Sequence, residues 1–386
     1  MNCAFAYTHA PISFYFKPSA RDFVVEEIPL YDFSGEGEHL ILKVRKKNLT
    51  TFELIKTFSS IFGIKEKEIG YAGLKDKNAL TFQYLSFPKK QVDNKIFAHF
   101  KHPLIKILEQ TYHHNKIKIG HLKGNHFFIN LKKIDSLNNQ KILNIIEKIK
   151  IYGIPNYFGY QRFGQEGNNF LQGLEIIEGK KKPRSKKIAN FLISAYQSHL
   201  FNQWLSLRLN LSFLINSSKS TEIFKALQSF LPDYQIPLIF KEKQYCQNLQ
   251  NQPHFFKIFT GDCLCHYPFG RNFFAQEENL SQDTLRFVEK QVSVMGLLSG
   301  KKCPPTSQIA GIFEEPFYDN RILSVGQRRY AWIFPEQIQY RYKEEEAQGE
   351  LQFYLPKGAY ATNFLRELAH QECQSDESSE CDKFTQ

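Results

Sequence analysis

The sequence is nearly devoid of tryptophan and methionine, with two of each in 386 residues. It has no run of about 18 apolar residues, the length a membrane-crossing helix needs, so no membrane association is expected. The start, Met1 to Pro18, lacks a basic segment leading into an unbroken apolar core, which argues against a secretory leader. No glycine-rich loop of the Walker or dinucleotide type is present, and neither is a zinc signature. Cys263-Leu264-Cys265-His266 has no second cluster to complete a metal site, since Cys246 and Cys303 stand alone. We read that run as a strand and expect no metal. The seven cysteines fall at irregular positions, which fits free thiols in a reducing cytoplasm. There is no internal repeat.

What is present is phenylalanine, tyrosine and positive charge. The chain holds 36 Phe and 19 Tyr, and its 50 basic residues exceed 39 acidic ones, for a net charge of +11. A basic chain of this kind favours a polyanionic partner. Aromatic rings fill cores, and a minority can stack on bases. The length allows two or more domains.

The chain's patterns give a first set of elements. Phe23, Val25 and Glu27 alternate with Val24, Glu26 and Ile28 and stop at Pro29, which reads as a partly buried strand. His39 to Lys47 is a second strand, ending in the basic run Arg45-Lys46-Lys47. Thr50 and Glu53 have capping-box spacing ahead of a helix that Gly63 ends. A strand follows over Thr81–Phe87. Lys116–Leu122 and His126–Lys132 read as a hairpin about a turn at Lys123-Gly124-Asn125. Helices are expected near Leu137–Lys150 and over residues 188–211. Ile154 to Gly164 has no helical or strand period, and its aromatic and polar density makes it a candidate functional surface. Residues 212–290 resist parsing, Met295 to Pro305 reads as loop, and the polar tail from Gln371 is expected to be disordered.

One acidic side chain draws notice because of its setting. Asp76 lies in Tyr71-Ala72-Gly73-Leu74-Lys75-Asp76-Lys77, between two lysines and before a strand. A charged surface turn would look the same. Asn125 could read a base edge and Phe127 could stack on a base, although a turn and a core explain them equally well. The basic runs Arg45, Lys46, Lys47 and Lys180, Lys181, Lys182, with Arg328 and Arg329, are candidate phosphate contacts on charge alone.

Seven runs, in order, decide between these readings. They are DFVVEEIPL from Asp22, SGEGEHLILKVRKKNLTT from Ser34, AGLKDKNALT from Ala72, LKGNHFFI from Leu122, PNYFGYQRFG from Pro155, GQRRYAW from Gly326 and LPKGAYATNFLREL from Leu355. Together they resemble the TruD family of tRNA pseudouridine synthases. The resemblance implies a cofactor-free enzyme, acting on tRNA in the cytoplasm, that converts uridine 13 to pseudouridine. It makes Asp76 the nucleophile, and Phe23, Asn125, Phe127 and Tyr360 the lining of the uracil pocket. It implies an α/β protein of the α+β type: a catalytic domain with a mainly antiparallel sheet and flanking helices, plus an inserted second domain. On that pattern residues 1–152 and 321–370 form the catalytic domain, 153–320 the insertion and 371–386 the acidic tail. No obligate protein partner is evident. If the Asp76 segment is extended, Lys75 and Lys77 leave on the opposite face, so the cation beside Asp76 comes from elsewhere, with Lys17 or Arg21 as candidates. The rival is a non-catalytic RNA-binding protein using the same surfaces. A methyltransferase would need the missing glycine-rich loop, and a metal nuclease would need a carboxylate cluster.

Overall fold

The computed structural model describes residues 3–92, 100–164 and 166–372. Most of the polar tail therefore lies outside the described residues. In chain order the strands are β1 (Phe23–Pro29), β2 (His39–Lys47), β3 (Gly70–Tyr71), β4 (Leu80–Pro88), β5 (Ile105–His113), β6 (Leu122–Lys132) and β7 (Ile154–Pro155). They continue as β8 (Cys263–His266), β9 (Asn272–Phe274), β10 (Val292–Leu298), β11 (Gln327–Tyr330), β12 (Trp332–Ile333), β13 (Glu336–Lys343) and β14 (Gln348–Pro356). The chain forms two compact units.

The first unit takes in Ile12–Ile146 and Pro335–Gly358. Its centre is an eight-stranded sheet in the order β13-β14-β6-β1-β4-β2-β5, with β3 paired to β4. Every pairing is antiparallel except β1 with β4. The period-two pattern in β1 is real: Phe23, Val25 and Glu27 are buried, while Val24 and Glu26 are half-buried. The helix Thr51–Phe62 covers part of one face. Thr50 and Glu53 form the reciprocal capping box, and Gly63 closes the helix at φ 66°. Its Leu54, Ile55 and Phe58 pack with Leu42 and Val44 of β2 and Leu85 and Phe87 of β4.

The expected hairpin at Lys123–Asn125 is not there. Residues 122–132 run as one continuous strand, β6, between β1 and β14. Gly124 serves close approach rather than a turn, because a Cβ at that position would come within 2.1 Å of the Leu355 carbonyl oxygen.

The second unit takes in the chain up to Pro11, Glu147–Phe334, and the chain from Ala359. It holds a four-stranded sheet, β11-β10-β8-β9, and the pair β12-β7. The helix Lys186–Ser217 passes through it, longer at both ends than its pattern suggested. The unparsed stretch contains the helices Ile223–Gln228, Lys243–Gln250 and Leu280–Val288. Leu211, Ile215, Ile223, Phe240, Leu249, Phe259 and Phe313 form one apolar cluster there. Met295–Leu298, read as loop, belongs to β10. All seven residues of β10 are buried, so no alternation marks it in the sequence.

Within this unit a buried network ties the residues before Pro11 and after Ala359 to its middle. Arg366 pairs with Glu367 at 2.7 Å and lies 3.7 Å over the Phe5 ring, while Glu367 accepts from the Ala6 N–H at 2.8 Å. Asn363 Nδ2 donates to the Tyr157 carbonyl.

The second unit also buries Arg208, whose guanidinium donates to both Asp262 oxygens at 2.6 and 2.8 Å and lies 4.5 Å over Phe259. Removing one member of such a pair strands a buried charge. Asp262→Ala should therefore lower stability by about 3–5 kcal/mol, measured as the shift in the denaturant midpoint. An unchanged midpoint would contradict this account of the core.

Candidate active site

The site is built on one face of the eight-stranded sheet. Residues opposite one another in an antiparallel pair share a face. On β1 and β6, Val25 lies opposite Phe127 and Glu27 opposite Asn125. On β2 and β4, Lys46 lies opposite Thr81 and Val44 opposite Gln83, and Thr81 is beside Val25. Phe23, Glu27, Lys46, Asn125 and Phe127 therefore project the same way.

The Asp76 loop is fastened over that face at four points. Gly120 N–H donates to the Ala72 carbonyl at 2.8 Å, and Asn48 N–H donates to the Ala79 carbonyl at 3.3 Å. Lys75 N–H donates to Thr51 Oγ1 at 3.0 Å, and that hydroxyl donates to Gln83 Oε1 at 3.2 Å. Lys46 Nζ donates to the Asp76 carbonyl oxygen at 2.9 Å and to the Leu49 carbonyl oxygen at 2.5 Å. A residue held this way has little freedom to reorient.

The charges around the loop are internal. Lys75 pairs with Glu27 at 2.6 Å, and both side chains are buried. Glu27 also accepts from the Tyr84 N–H at 3.2 Å. Asp76 keeps some solvent contact, yet the protein packed around it raises its carboxyl above the ordinary aspartate range. Lys46, its own backbone N–H and Lys75 pull the other way. The Lys46 ammonium is fully buried, and burial pushes its pKa down to about 8 against the attraction of Asp76. The cations acting on Asp76 are thus Lys46 and Lys75, rather than Lys17 or Arg21. Lys77 is exposed.

Phe23 and Phe127 lie nearly parallel, with ring centroids 6.2 Å apart. They are only 8% and 7% exposed, so they form a floor and not a protruding platform. Phe16 meets Phe23 edge-on at 5.7 Å. Asn125 Oδ1 has no hydrogen-bond partner among the described residues. A buried amide oxygen left open is a group that can accept from a ligand. Tyr360 belongs to the second unit, where its ring lies 6.4 Å from Phe158.

The basic runs separate by position. In β2, Arg45 and Lys47 are exposed but Lys46, one pleat away, has no surface at all. Lys46 therefore cannot meet a phosphate, and its expected backbone role is corrected to an internal one. Arg328 is also engaged inside, with Glu314 at 2.6 Å and the Pro304 carbonyl at 2.8 Å. Lys180, Lys181 and Lys182 are exposed, although Lys180 pairs with Glu178 at 2.7 Å. No group of acidic, histidine or cysteine side chains suited to a metal occurs among the described residues. Glu27 and Thr51 went unnoticed in the sequence. The signal for Glu27 was an acid on the apolar phase of β1.

A family model described as tRNA pseudouridine synthase D (TruD) matches residues 2–184 and 182–368. The chain belongs to the TruD family. A tRNA pseudouridine synthase D from Wolinella succinogenes is 54% identical over 368 residues, covering 95% of this chain and 98% of that one. One from Nitratiruptor sp. is 49% identical over 370 residues, covering 96% and 98%. A structural-genomics crystal structure of a TruD protein from Methanosarcina mazei shares the fold, with a TM-score of 0.62 at 20% identity over 95% of this chain and 96% of that one. TruD enzymes of this family are isomerases, and the mixed α/β architecture with a mainly antiparallel sheet agrees with that membership.

The raised Asp76 carboxyl has a thermodynamic consequence. A folded state that holds the proton more tightly than the unfolded state loses stability as pH rises through the folded value. Asp76→Asn should therefore melt at a higher temperature than the parent at pH 7. The difference should vanish near pH 3, below the unfolded aspartate value of about 3.9. Scanning calorimetry at both pH values reads this, and a variant melting at or below the parent at pH 7 would contradict it.

Proposed function

We propose that this TruD protein isomerises uridine 13 of tRNA to pseudouridine, with Asp76 as the nucleophile and without a cofactor. The observation that carries the reading is one ionisable carboxyl, fixed on an anchored loop beside two buried ammonium groups. It lies over a sheet face that offers aromatic rings and an open amide oxygen. A protein that only bound RNA would gain nothing from an aspartate set towards a polyanion.

The reaction breaks the N1–C1′ bond, turns the uracil and joins C5 to C1′. C5 then loses a proton and N1 gains one, so the atoms balance with no added reagent. An ionised carboxylate can attack the nucleotide or remove the C2′ proton to give a glycal. Both routes need Asp76 charged. Lys46 and Lys75 favour the charged form, and burial keeps it weakly solvated and reactive. The freed uracil needs a partner that leaves C5 untouched. Asn125 Oδ1 can accept from a ring N–H while Phe23 and Phe127 supply the apolar floor. The role of Tyr360 against the base rests on the family resemblance.

The target must also leave its stack, at a cost of a few kcal/mol. Contacts to the RNA backbone offset that cost, and Arg45, Lys47 and Lys180–Lys182 have the exposure such contacts need. The sheet unit that carries Asp76 would be the catalytic domain.

Purified protein incubated with unmodified tRNA should give pseudouridine at position 13, mapped by chemical labelling. Asp76→Asn should reduce the rate at least about 100-fold while binding tRNA. Product at near the parent rate would remove Asp76 from its role. Product at another position would remove the claim for uridine 13 and leave the reaction class.

A further inference from the structure

The motifs Pro155–Gly164 and Gly326–Trp332 have no part in the chemistry described so far, yet the second unit brings them together. Phe158 is the centre. Its backbone is held from both sides by Asn202, which accepts from the Phe158 N–H at 2.8 Å and donates to its carbonyl at 3.0 Å. Two guanidinium groups sit on its ring, Arg329 at 3.9 Å and Arg162 at 5.8 Å from the centroid. Tyr360 completes the cluster, with Arg329 5.8 Å from its ring.

Neither arginine has an acidic partner among the described residues. Arg329 donates to the Asn156 carbonyl and Oδ1 at 3.1 and 3.0 Å, and its Nε has no partner. Arg162 donates to the hydroxyls of Ser198, at 3.2 Å, and Ser194. The other packed arginines of this unit are neutralised: Arg208 by Asp262, Arg328 by Glu314, and Arg366 by Glu367 and Glu372. Two cations on one ring, each held only by neutral acceptors, repel one another, and burial adds to the strain on Arg329. A bound anion would relieve both effects. Arg162, Arg329, Phe158 and Tyr360 all keep some surface open to solvent. A guanidinium packed against a ring and hydrogen-bonded on one side has its planar fork of N–H groups held in place, and such a fork matches phosphate oxygens.

We propose that Arg162 and Arg329, set on Phe158 beside Tyr360, bind a backbone phosphodiester of the RNA substrate. The inference rests on the reading of tRNA as substrate but not on Asp76 or on position 13.

The test uses the full-length chain carrying Asp76→Asn, so that binding is read without turnover. Fluorescence anisotropy over a salt series measures affinity for unmodified tRNA and for a short oligouridylate, with inorganic phosphate as competitor. Arg162→Ala and Arg329→Lys are compared with the parent, and Arg162→Lys retains the charge. Each charge removed should weaken RNA binding several-fold and lower the slope of log affinity against log salt by about 0.7–0.9. Arg162→Lys should keep the parent slope and Arg329→Lys should weaken binding by losing the two-pronged geometry. Parent affinity and slope in both Arg162→Ala and Arg329→Lys would overturn the proposal. So would weaker binding with an unchanged slope in Arg162→Ala, which marks a scaffolding role. Tight competition by inorganic phosphate with RNA affinity unaffected by the substitutions would assign a free-anion site and also overturn it. A parent that binds neither RNA would remove the substrate reading and this inference together, whereas pseudouridine at another position would leave this one standing.

Discussion

The Asp76 site depends on keeping one carboxylate charged in a place where charge is unfavourable. Burial favours its protonated form. Lys46 opposes that from beneath, although its ammonium bonds the Asp76 backbone carbonyl and leaves the carboxylate oxygens unbonded to it. Lys75 adds its field but is itself bound to Glu27 at 2.6 Å. The arrangement supplies positive potential without an ion pair on Asp76 that the reaction would have to break. The cations favour ionisation from a distance and take no bond to the carboxylate oxygens, an arrangement that suits the nucleophilic role proposed for Asp76.

Such an arrangement makes the loop and the sheet interdependent. Loss of either Lys75 or Glu27 would leave a buried charge alone, an effect on the order of 3–5 kcal/mol. Thr51 ties the same loop to the first turn of the capped helix, and through Gln83 to β4. The capping box at Thr50 and Glu53 therefore does more than start a helix, since it fixes the residue that holds the loop. The sheet register then decides which groups share the face. A slip of one residue in β2 would turn Lys46 outward, put Arg45 or Lys47 in its place and take Leu42 and Val44 out of the core they share with the helix.

Much of this was legible in the sequence where a local period governs the fold. The alternation in β1 and β2, the Thr50 cap and Gly63 stop, and the strand after Asp76 all stand close to where their patterns put them. The same alternation contained information that the charges obscured. Arg45-Lys46-Lys47 reads as one basic patch, but the pleat sends the middle residue inward. Gly124 was misread because a glycine beside asparagine is a turn signal, while its real constraint is the neighbouring strand at Leu355. β10 was hidden because a fully buried strand carries no contrast between faces. The helices Ile223–Gln228, Lys243–Gln250 and Leu280–Val288 were hidden because each is only six to nine residues long and buries two or three of them, too few to set a period. The pairing of Lys75 with Glu27, far apart in sequence, could come only from the register of β1 against its neighbours.

The central claim is that buried lysines hold a raised Asp76 carboxyl within reach of its ionised form. The direct measurement is the titration of Asp76 by carbon-13 NMR with aspartate labelled at Cγ, its signal assigned from the spectrum of Asp76→Asn. The midpoint should lie above the ordinary aspartate value of about 3.9 and should move higher still in Lys46→Met. A midpoint at or below the ordinary value, or one that Lys46→Met leaves in place, would contradict the account.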